Sequence, residues 1–118
     1  MALVVPNAGE LRLIDKKLKH ALSTNENYIL TLYSDNYTPD QAAVPGSFTE
    51  ANFTSYAAKT LTRANWTAAI TNGSSKAETS YSTTPQSWTC GTTGQTIYGY
   101  WVEGATVATC LWAEKFTT

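Results

Sequence analysis

Two neighbouring stretches decide the fold: Gln95–Val102 (QTIYGYWV) and Thr106–Phe116 (TVATCLWAEKF), separated by Glu103–Ala105 (EGA). Both stretches are rich in β-branched and aromatic residues, which favour a pleated and half-buried strand. The break between them is short and contains a glycine, as is typical of a tight connection between antiparallel strands. The sequence therefore predicts a C-terminal β-hairpin around which the rest of the chain is organised.

The alternation of side chains in the second stretch predicts which of them enter the core. Successive residues of a strand point to opposite faces, so Cys110 and Trp112 are expected on one face. Leu111 and Ala113 are then expected on the other face. We predict that the Trp112 face is the core face.

The composition is that of a single globular domain with a weakly charged surface. The 118 residues fit one domain, 1–118, and a hydrophobic content of 42% is enough for a core. Charged residues make up only 14%, below the usual ~25%, and the net charge is −1, which argues against nucleic acid as a partner. No apolar run approaches the ~20 residues of a membrane span, and the first residues lack a basic signal-peptide region. We therefore expect synthesis in a cytoplasm and no membrane partner.

An arm and a helix are predicted before the β-rich region. The arm, residues 1–6, contains the apolar run Leu3, Val4 and Val5, which must pack either on its own domain or on a neighbouring chain. The helix is predicted over residues 8–22. The side chains expected to face the core recur at helical spacing: Leu11, Ile14, Leu18 and either Ala21 or Leu22. Asn7 and Glu10 form a predicted capping box at the start of the helix. The basic residues are expected mostly on the sides of the helix that do not face the core: Arg12, Lys16, Lys17 and Lys19.

The β-rich region is predicted over residues 28–116. Four further strand segments are expected before the hairpin: Tyr28–Tyr33, Tyr56–Ile70 (as one strand or a pair of strands), Ala77–Thr84 and Gln86–Cys90. A long loop, 34–46, and a helical turn anchored by Phe48 and Phe53 separate the first two, and Asn72–Ser75 is a predicted turn. The fold class is mainly β: a small antiparallel β-sandwich or barrel of about six to eight strands with one N-terminal α-helix.

Six residues are the predicted partner-facing positions: Leu3, Val4, Val5, Tyr37, Tyr98 and Trp101. Tyr98 and Trp101 lie on opposite faces of one strand, so one of the two is expected to point away from the core. The four tryptophans are expected mainly as core anchors, and an exposed sugar-stacking platform is the alternative.

No catalytic, metal-binding or cofactor-binding residue is predicted, and we expect the protein not to be an enzyme. The single histidine, His20, lies among lysines and has no second histidine or nearby carboxylate in sequence. Neither a glycine-rich phosphate loop nor a metal-ligand spacing occurs. Cys90 and Cys110 are expected either as reduced thiols in strands or as one inter-strand disulfide.

Three segments resemble a family of short structural proteins of tailed bacteriophages: Phe48–Leu61 (FTEANFTSYAAKTL), Ile97–Val102 (IYGYWV) and Leu111–Phe116 (LWAEKF). The order of an N-terminal helix, a strand like Leu30–Tyr33 and these blocks is also similar, so the resemblance covers most of the chain. It implies a virion component, with the capsid surface as the location favoured first.

Within that class, the resemblance favours a capsid decoration, or cement, protein that binds the major capsid protein. A tail or fibre-adaptor component, which could bind a host-surface sugar through Trp101 or the 34–46 loop, is the alternative. A homo-oligomer, with a trimer favoured, is expected because decoration proteins often occupy symmetry axes. The family supplies no catalytic residue.

Overall fold

A computed structural model of the chain describes residues 3–14, 26–81 and 85–117. The prediction of a mainly β fold with one N-terminal helix is confirmed within these ranges. The helix and strands, numbered in chain order, are α1 Asn7–Ile14, β1 Tyr28–Tyr33, β2 Lys59–Leu61, β3 Ile70–Thr71, β4 Ala77–Glu78, β5 Gly99–Gly104 and β6 Cys110–Lys115. Two short 3₁₀ turns cover Pro45–Ser47 and Arg63–Asn65.

The main sheet has four antiparallel strands in the order β2-β1-β5-β6. The predicted C-terminal hairpin is therefore present, and its strand β5 lies in the middle of the sheet against β1. Leu30 pairs with Val102, and Leu32 pairs with Tyr100. The remaining strands, β3 and β4, form a separate two-stranded hairpin closed by the predicted turn at Asn72–Ser75. The small hairpin thus follows its turn signal, whereas the predicted break of the C-terminal hairpin at Glu103–Ala105 is wrong: Glu103 and Gly104 belong to β5, and the connection to β6 covers residues 105–109.

A β-bulge in the main hairpin changes which side chains share a face. Val102 pairs with Trp112 but the next residue, Glu103, pairs with Cys110, so one residue of β6 is left over. Cys110 and Ala113 consequently lie on the same face, and Trp112 lies on the opposite one. The predicted alternation, which placed Cys110 with Trp112, is wrong because it assumed an uninterrupted strand.

The face of the sheet that carries Tyr33, Trp101 and Ala113 is the principal core, and we call it the core face. Tyr33 and Ala113 are fully buried there, together with Cys110 and Ala43. The opposite face, with Leu30, Leu32, Tyr100, Val102 and Trp112, is called the groove face. The prediction that the Trp112 face is the core face is wrong, because the 34–48 loop and α1 cover the other side.

Trp101 is a core residue, so its prediction as a partner-facing side chain is wrong. It is 5% exposed, and its ring stacks on Phe48 with 4.9 Å between centroids and 8° between planes. Strand alternation puts Trp101 on the core face, and the predicted anchor Phe48 closes over it. The other predicted anchor, Phe53, is also buried, but it packs beside Leu32 on the groove face.

The N-terminal arm packs on its own domain in this structure. Val4 forms an antiparallel bridge with Ala113, with backbone N···O distances of 2.9 and 2.8 Å. Helix α1 then begins at Asn7, and the Glu10 N–H donates to the Pro6 carbonyl at 3.0 Å, so Asn7 lies inside the first turn rather than at the predicted cap. Residues 15–22 of the predicted helix, including Leu18 and His20, lie outside the described residues.

Several predicted strands are shorter than expected. The Tyr56–Ile70 segment, predicted as one strand or a pair of strands, contains β2, the second 3₁₀ turn and the first residue of β3, and β2 and β3 pair with other strands rather than with each other. The Ala77–Thr84 segment is a strand only at Ala77–Glu78, and its residues 82–84 lie outside the described residues. Gln86–Cys90 forms no strand: it runs across the groove face, where the indole N–H of Trp88 donates to the Ala57 carbonyl at 2.7 Å. A hydrogen bond from a side chain to a backbone oxygen holds such a segment in place, although the segment forms no strand-to-strand hydrogen bonds.

The two cysteines are free. Cys110 is buried in β6, as expected of a reduced thiol in a strand, whereas Cys90 is exposed and lies outside the strands.

Candidate functional site

The predicted partner-facing residues do not form one surface in the structure. Leu3 is exposed, whereas Val4 and Val5 are half-buried along the β6 edge. Tyr37 and Tyr98 are half-buried and pack against the core-face cluster that contains Trp101. Neither of them is a fully exposed aromatic side chain. Two other surfaces bring apolar or aromatic side chains together, and both are described below.

Helix α1 turns its apolar residues outward. Its buried residues are Gly9 and Arg12, three positions apart on one side of the helix. The prediction that Leu11 and Ile14 face the core is therefore wrong: they are 64% and 52% exposed. We call the exposed apolar residues of the arm and helix the N-terminal apolar surface: Leu3, Leu11, Leu13 and Ile14.

A buried ion pair explains the orientation of α1. Arg12 contacts the carboxylate of Glu26, and both side chains are almost fully buried. Arg12 also donates to the Thr109 hydroxyl at 3.3 Å, while the Thr106 N–H donates to the Glu26 carboxylate at 3.2 Å. Because a buried charge needs its partner, the helix cannot rotate Leu11 inward without exposing or breaking this network.

Gly9 sets the close approach of α1 to the sheet. A Cβ at this position would lie 2.7 Å from the carbonyl oxygens of both Cys110 and Leu111. Only glycine permits this distance, so the helix axis lies directly against the β6 backbone. The N-terminal apolar surface is thus mounted on a rigid part of the fold.

The second surface is a groove on the groove face of the sheet, and we call it the aromatic groove. It encloses about 430 Å³, and six of its ten lining residues are aromatic: Trp66, Tyr81, Trp88, Tyr100, Trp112 and Phe116. The floor is aliphatic, with Leu30, Leu32 and Val102 from the sheet itself. This volume lies in the ~300–1,000 Å³ range of small-ligand sites.

The rings of the aromatic groove contact one another in edge-to-face and tilted pairs. Trp66 lies perpendicular to Trp112, with 6.2 Å between centroids, and meets Tyr81 at 5.2 Å. At the other end, the Tyr100 and Phe116 centroids are 6.0 Å apart. Such contacts are among the favoured aromatic geometries, so the walls of the groove support one another.

Hydrogen bonds hold several of these rings in place. The Tyr100 hydroxyl donates to the Glu114 carboxylate at 3.0 Å, and burial together with this carboxylate raises the pKa of Tyr100 to about 12. The Tyr81 oxygen accepts from the Asn65 side chain and the Thr62 N–H, which lowers the pKa of Tyr81. The Trp66 indole N–H is buried and has no hydrogen-bond partner.

A second hollow of about 590 Å³ continues the aromatic groove and shares four of its lining residues: Leu32, Gln86, Trp88 and Phe116. Gln86, Ser87 and Gln95 supply its polar lining, and we call it the amide end. The Gln95 carbonyl oxygen accepts from the Asn52 N–H at 2.8 Å, which fixes the orientation of that carboxamide. None of the described residues lining these two hollows carries a formal charge, although the Lys59 ammonium lies over the Trp88 ring, 5.3 Å from its centroid.

The described residues contain no group of three histidine, cysteine, aspartate or glutamate side chains arranged to hold a metal ion. Within the same ranges, no helix has the length and apolar character needed to cross a membrane.

Comparison with protein-family models, curated proteins and solved structures finds no match to this chain. Its functional interpretation therefore rests on its own residues.

The sequence predicted only part of these surfaces: Leu3 was expected to face a partner, and an exposed sugar-stacking platform of tryptophans was the alternative to a tryptophan core, but the remaining residues were not located. Gly9 and Arg12 have the same three-residue spacing as Leu11 and Ile14, so periodicity alone could not show which side of the helix faces inward. The aromatic groove is assembled from segments far apart in sequence. Its one sequence signal was the number of tryptophans, which fitted a buried core equally well.

Proposed function

We propose that the protein is a virion decoration protein that binds the major capsid protein of its phage and stabilises the head by covering it. The observation that carries this proposal is the N-terminal apolar surface, where Leu3, Leu11 and Ile14 are each about half exposed or more. An apolar surface presented by a weakly charged protein is typical of a site that binds another protein.

The N-terminal apolar surface supplies a useful part of a docking energy. Full burial of a leucine or isoleucine is worth about 1.5–3 kcal/mol, so burying the exposed half contributes about 1 kcal/mol per residue. Leu11 and Ile14 lie three positions apart on one side of α1, so they together contribute about 2 kcal/mol, which is about thirtyfold in affinity, whereas Leu13 lies on another side of the helix. A stable contact buries ~800 Å² per partner, so residues outside the N-terminal apolar surface must supply the rest of the buried area.

The rigidity of this surface adds to the proposal. Docking loses less free energy when the contacting side chains are ordered beforehand. The Val4–Ala113 bridge, the close Gly9 contact and the Arg12–Glu26 ion pair all hold the arm and helix before a partner arrives. We expect a trimer at the capsid surface, since closed rings suit symmetry axes, and light scattering of the purified protein measures this directly.

The experiment compares phage heads assembled from the major capsid protein with and without the purified protein. We expect bound protein to raise the temperature at which heads are disrupted, measured by light scattering on heating. The variant Leu11→Ser/Ile14→Ser removes apolar surface from α1, and we expect its binding in co-sedimentation to fall by about tenfold or more.

A matched control uses two apolar residues that lie outside this surface and are similarly exposed. Val44 and Ile70 are 49% and 57% exposed, so Val44→Ser/Ile70→Ser alters the same amount of apolar surface. This control is expected to bind as the unmodified protein does. Equal disruption temperatures with and without the protein, or equal losses in the two variants, would contradict the proposal.

The copy number per particle separates this function from the alternative of a tail or fibre component. A decoration protein covers the shell in hundreds of copies, whereas a tail part is present in tens. Quantitative gel densitometry of purified virions gives this number.

A further inference from the structure

We propose that the aromatic groove and its amide end form a binding site for a neutral glycan. This inference goes beyond the capsid-docking function, because it concerns a different surface and a different class of ligand. Three properties of the two hollows carry it: aromatic walls, neutral polar groups at one end, and side chains that are already held in position.

The walls match the apolar side of a sugar ring. A pyranose presents a face of C–H groups, which packs on aromatic rings, and a rim of hydroxyl groups. Trp88, Trp112 and Tyr100 are half-buried, and Phe116 is 42% exposed, so ring surface remains available in the groove. Aliphatic side chains form only the floor, which distinguishes this groove from an ordinary lipid-binding pocket.

The amide end matches the hydroxyl rim. A carboxamide offers both donors and acceptors, and a sugar hydroxyl can take either role. Gln86 and Gln95 bring two carboxamides to this hollow, and Ser87 adds a hydroxyl. The Asn52 N–H already occupies the Gln95 oxygen, so the –NH₂ group of Gln95 is the one that a ligand oxygen can accept from.

The charged groups beside the two hollows already have partners: the Lys59 ammonium lies over the Trp88 ring, 5.3 Å from its centroid, and the Glu114 carboxylate accepts from the Tyr100 hydroxyl. Because no described residue of the lining carries a formal charge, we infer a neutral glycan rather than an acidic one. Binding of a carboxylated or sulfated sugar requires a basic side chain to compensate the loss of its hydration. The described residues that line the aromatic groove and the amide end include no lysine or arginine.

The site is also ordered before a ligand binds. The Trp88 indole is anchored to the Ala57 carbonyl at 2.7 Å, and Tyr100 is anchored to Glu114. Side chains that need not be immobilised on binding preserve affinity, which matters for weakly binding ligands such as single sugars.

The test is a titration of the purified protein with neutral hexasaccharides of glucose, mannose, galactose and N-acetylglucosamine, followed by tryptophan fluorescence and isothermal calorimetry. At least one is expected to bind, whereas a sulfated hexasaccharide is not. Phe116→Ala and Gln95→Ala each change an exposed side chain, and each is expected to weaken binding by about tenfold. Ile70→Ala, an exposed apolar residue away from the groove, is the control and is expected to bind normally.

Circular dichroism and thermal unfolding verify that each variant is folded. The proposal is overturned if no neutral hexasaccharide binds at millimolar concentration, if Phe116→Ala and Gln95→Ala bind as the unmodified protein does, or if a polyproline peptide binds the groove in place of all four sugars. Binding of the same variants to phage heads measures the docking function separately. Phe116→Ala is expected to leave that binding unchanged, so failure of either proposal is distinguishable from failure of the other.

Discussion

Removal of Arg12 tests whether the buried ion pair fixes the orientation of α1. The substitution Arg12→Met keeps the apolar part of the side chain but removes the cation. The buried Glu26 carboxylate then has no counter-charge, although it still accepts a hydrogen bond from the Thr106 N–H. Breaking a buried pair by removing one partner typically costs about 3–5 kcal/mol. Because Glu26 keeps this other contact, we expect a loss near the lower end, about 3 kcal/mol in the free energy of unfolding.

The assay is urea unfolding at pH 7, followed by circular dichroism and supported by thermal unfolding. A loss of about 3 kcal/mol corresponds to a decrease in Tm of about 10 °C for a domain of this size. The matched control is Arg63→Met. Arg63 is exposed, and its substitution changes the net charge by the same amount as Arg12→Met. Surface substitutions of this kind usually alter stability by about 0.5 kcal/mol or less.

A double-mutant cycle assigns the effect to the pair itself. Glu26→Gln alone leaves Arg12 buried without its counter-charge, whereas Arg12→Met/Glu26→Gln leaves no buried charge at either position. We therefore expect the double variant to lose about 2 kcal/mol less than the sum of the two single losses. If Arg12→Met unfolds with the same midpoint as Arg63→Met, or if the two losses simply add, the explanation for the outward leucines is wrong.

Three further predictions concern thiols, tyrosines and a glycine. Burial raises the pKa of Cys110 to about 12, so Ellman's reagent at pH 8 should modify only the exposed Cys90 in the native protein and both thiols after unfolding. Burial also raises the pKa values of Tyr33 and Tyr100 from 10.0 to about 12. The unfolded chain therefore releases these protons first. The contribution of the two tyrosines to the free energy of unfolding is complete below pH 10 and should be lost as the pH rises from 10 to 12, as urea unfolding can measure. Gly99→Ala would force a Cβ against the Glu114 carbonyl oxygen and the Tyr33 ring, and we expect urea unfolding to show a loss of about 2 kcal/mol, whereas Gly46→Ala, with open space around it, should not.

The hairpins and the central strands could be predicted because their signals are local. Tyr28–Tyr33 is a run of β-forming residues, and it forms β1 with the predicted bounds. The Asn72–Ser75 turn is likewise specified by its own residues, since the Asn72 side chain accepts from the Ser74 and Lys76 N–H groups. A turn or strand of this kind depends little on the rest of the chain.

The candidate surfaces could not be predicted, because each depends on contacts between distant segments. The outward side of α1 depends on Glu26, which contacts Arg12 from a position 14 residues away in sequence. The placement of Trp101 in the core depends on Phe48 and on the loop that carries it. Neither contact leaves a periodic pattern near the residue that it determines.

The sequence by itself determined that the chain is mainly β, with an N-terminal helix and a C-terminal hairpin, because alternation, β-branching and turn residues act over a few neighbouring positions. Only the tertiary structure decided which side of each element faces inward. One bulge after Val102 placed Cys110 and Trp112 on opposite faces of the sheet, and one buried ion pair turned Leu11 outward. The physical reason is that burial is a property of the assembled chain: a side chain is covered only when another segment arrives to cover it.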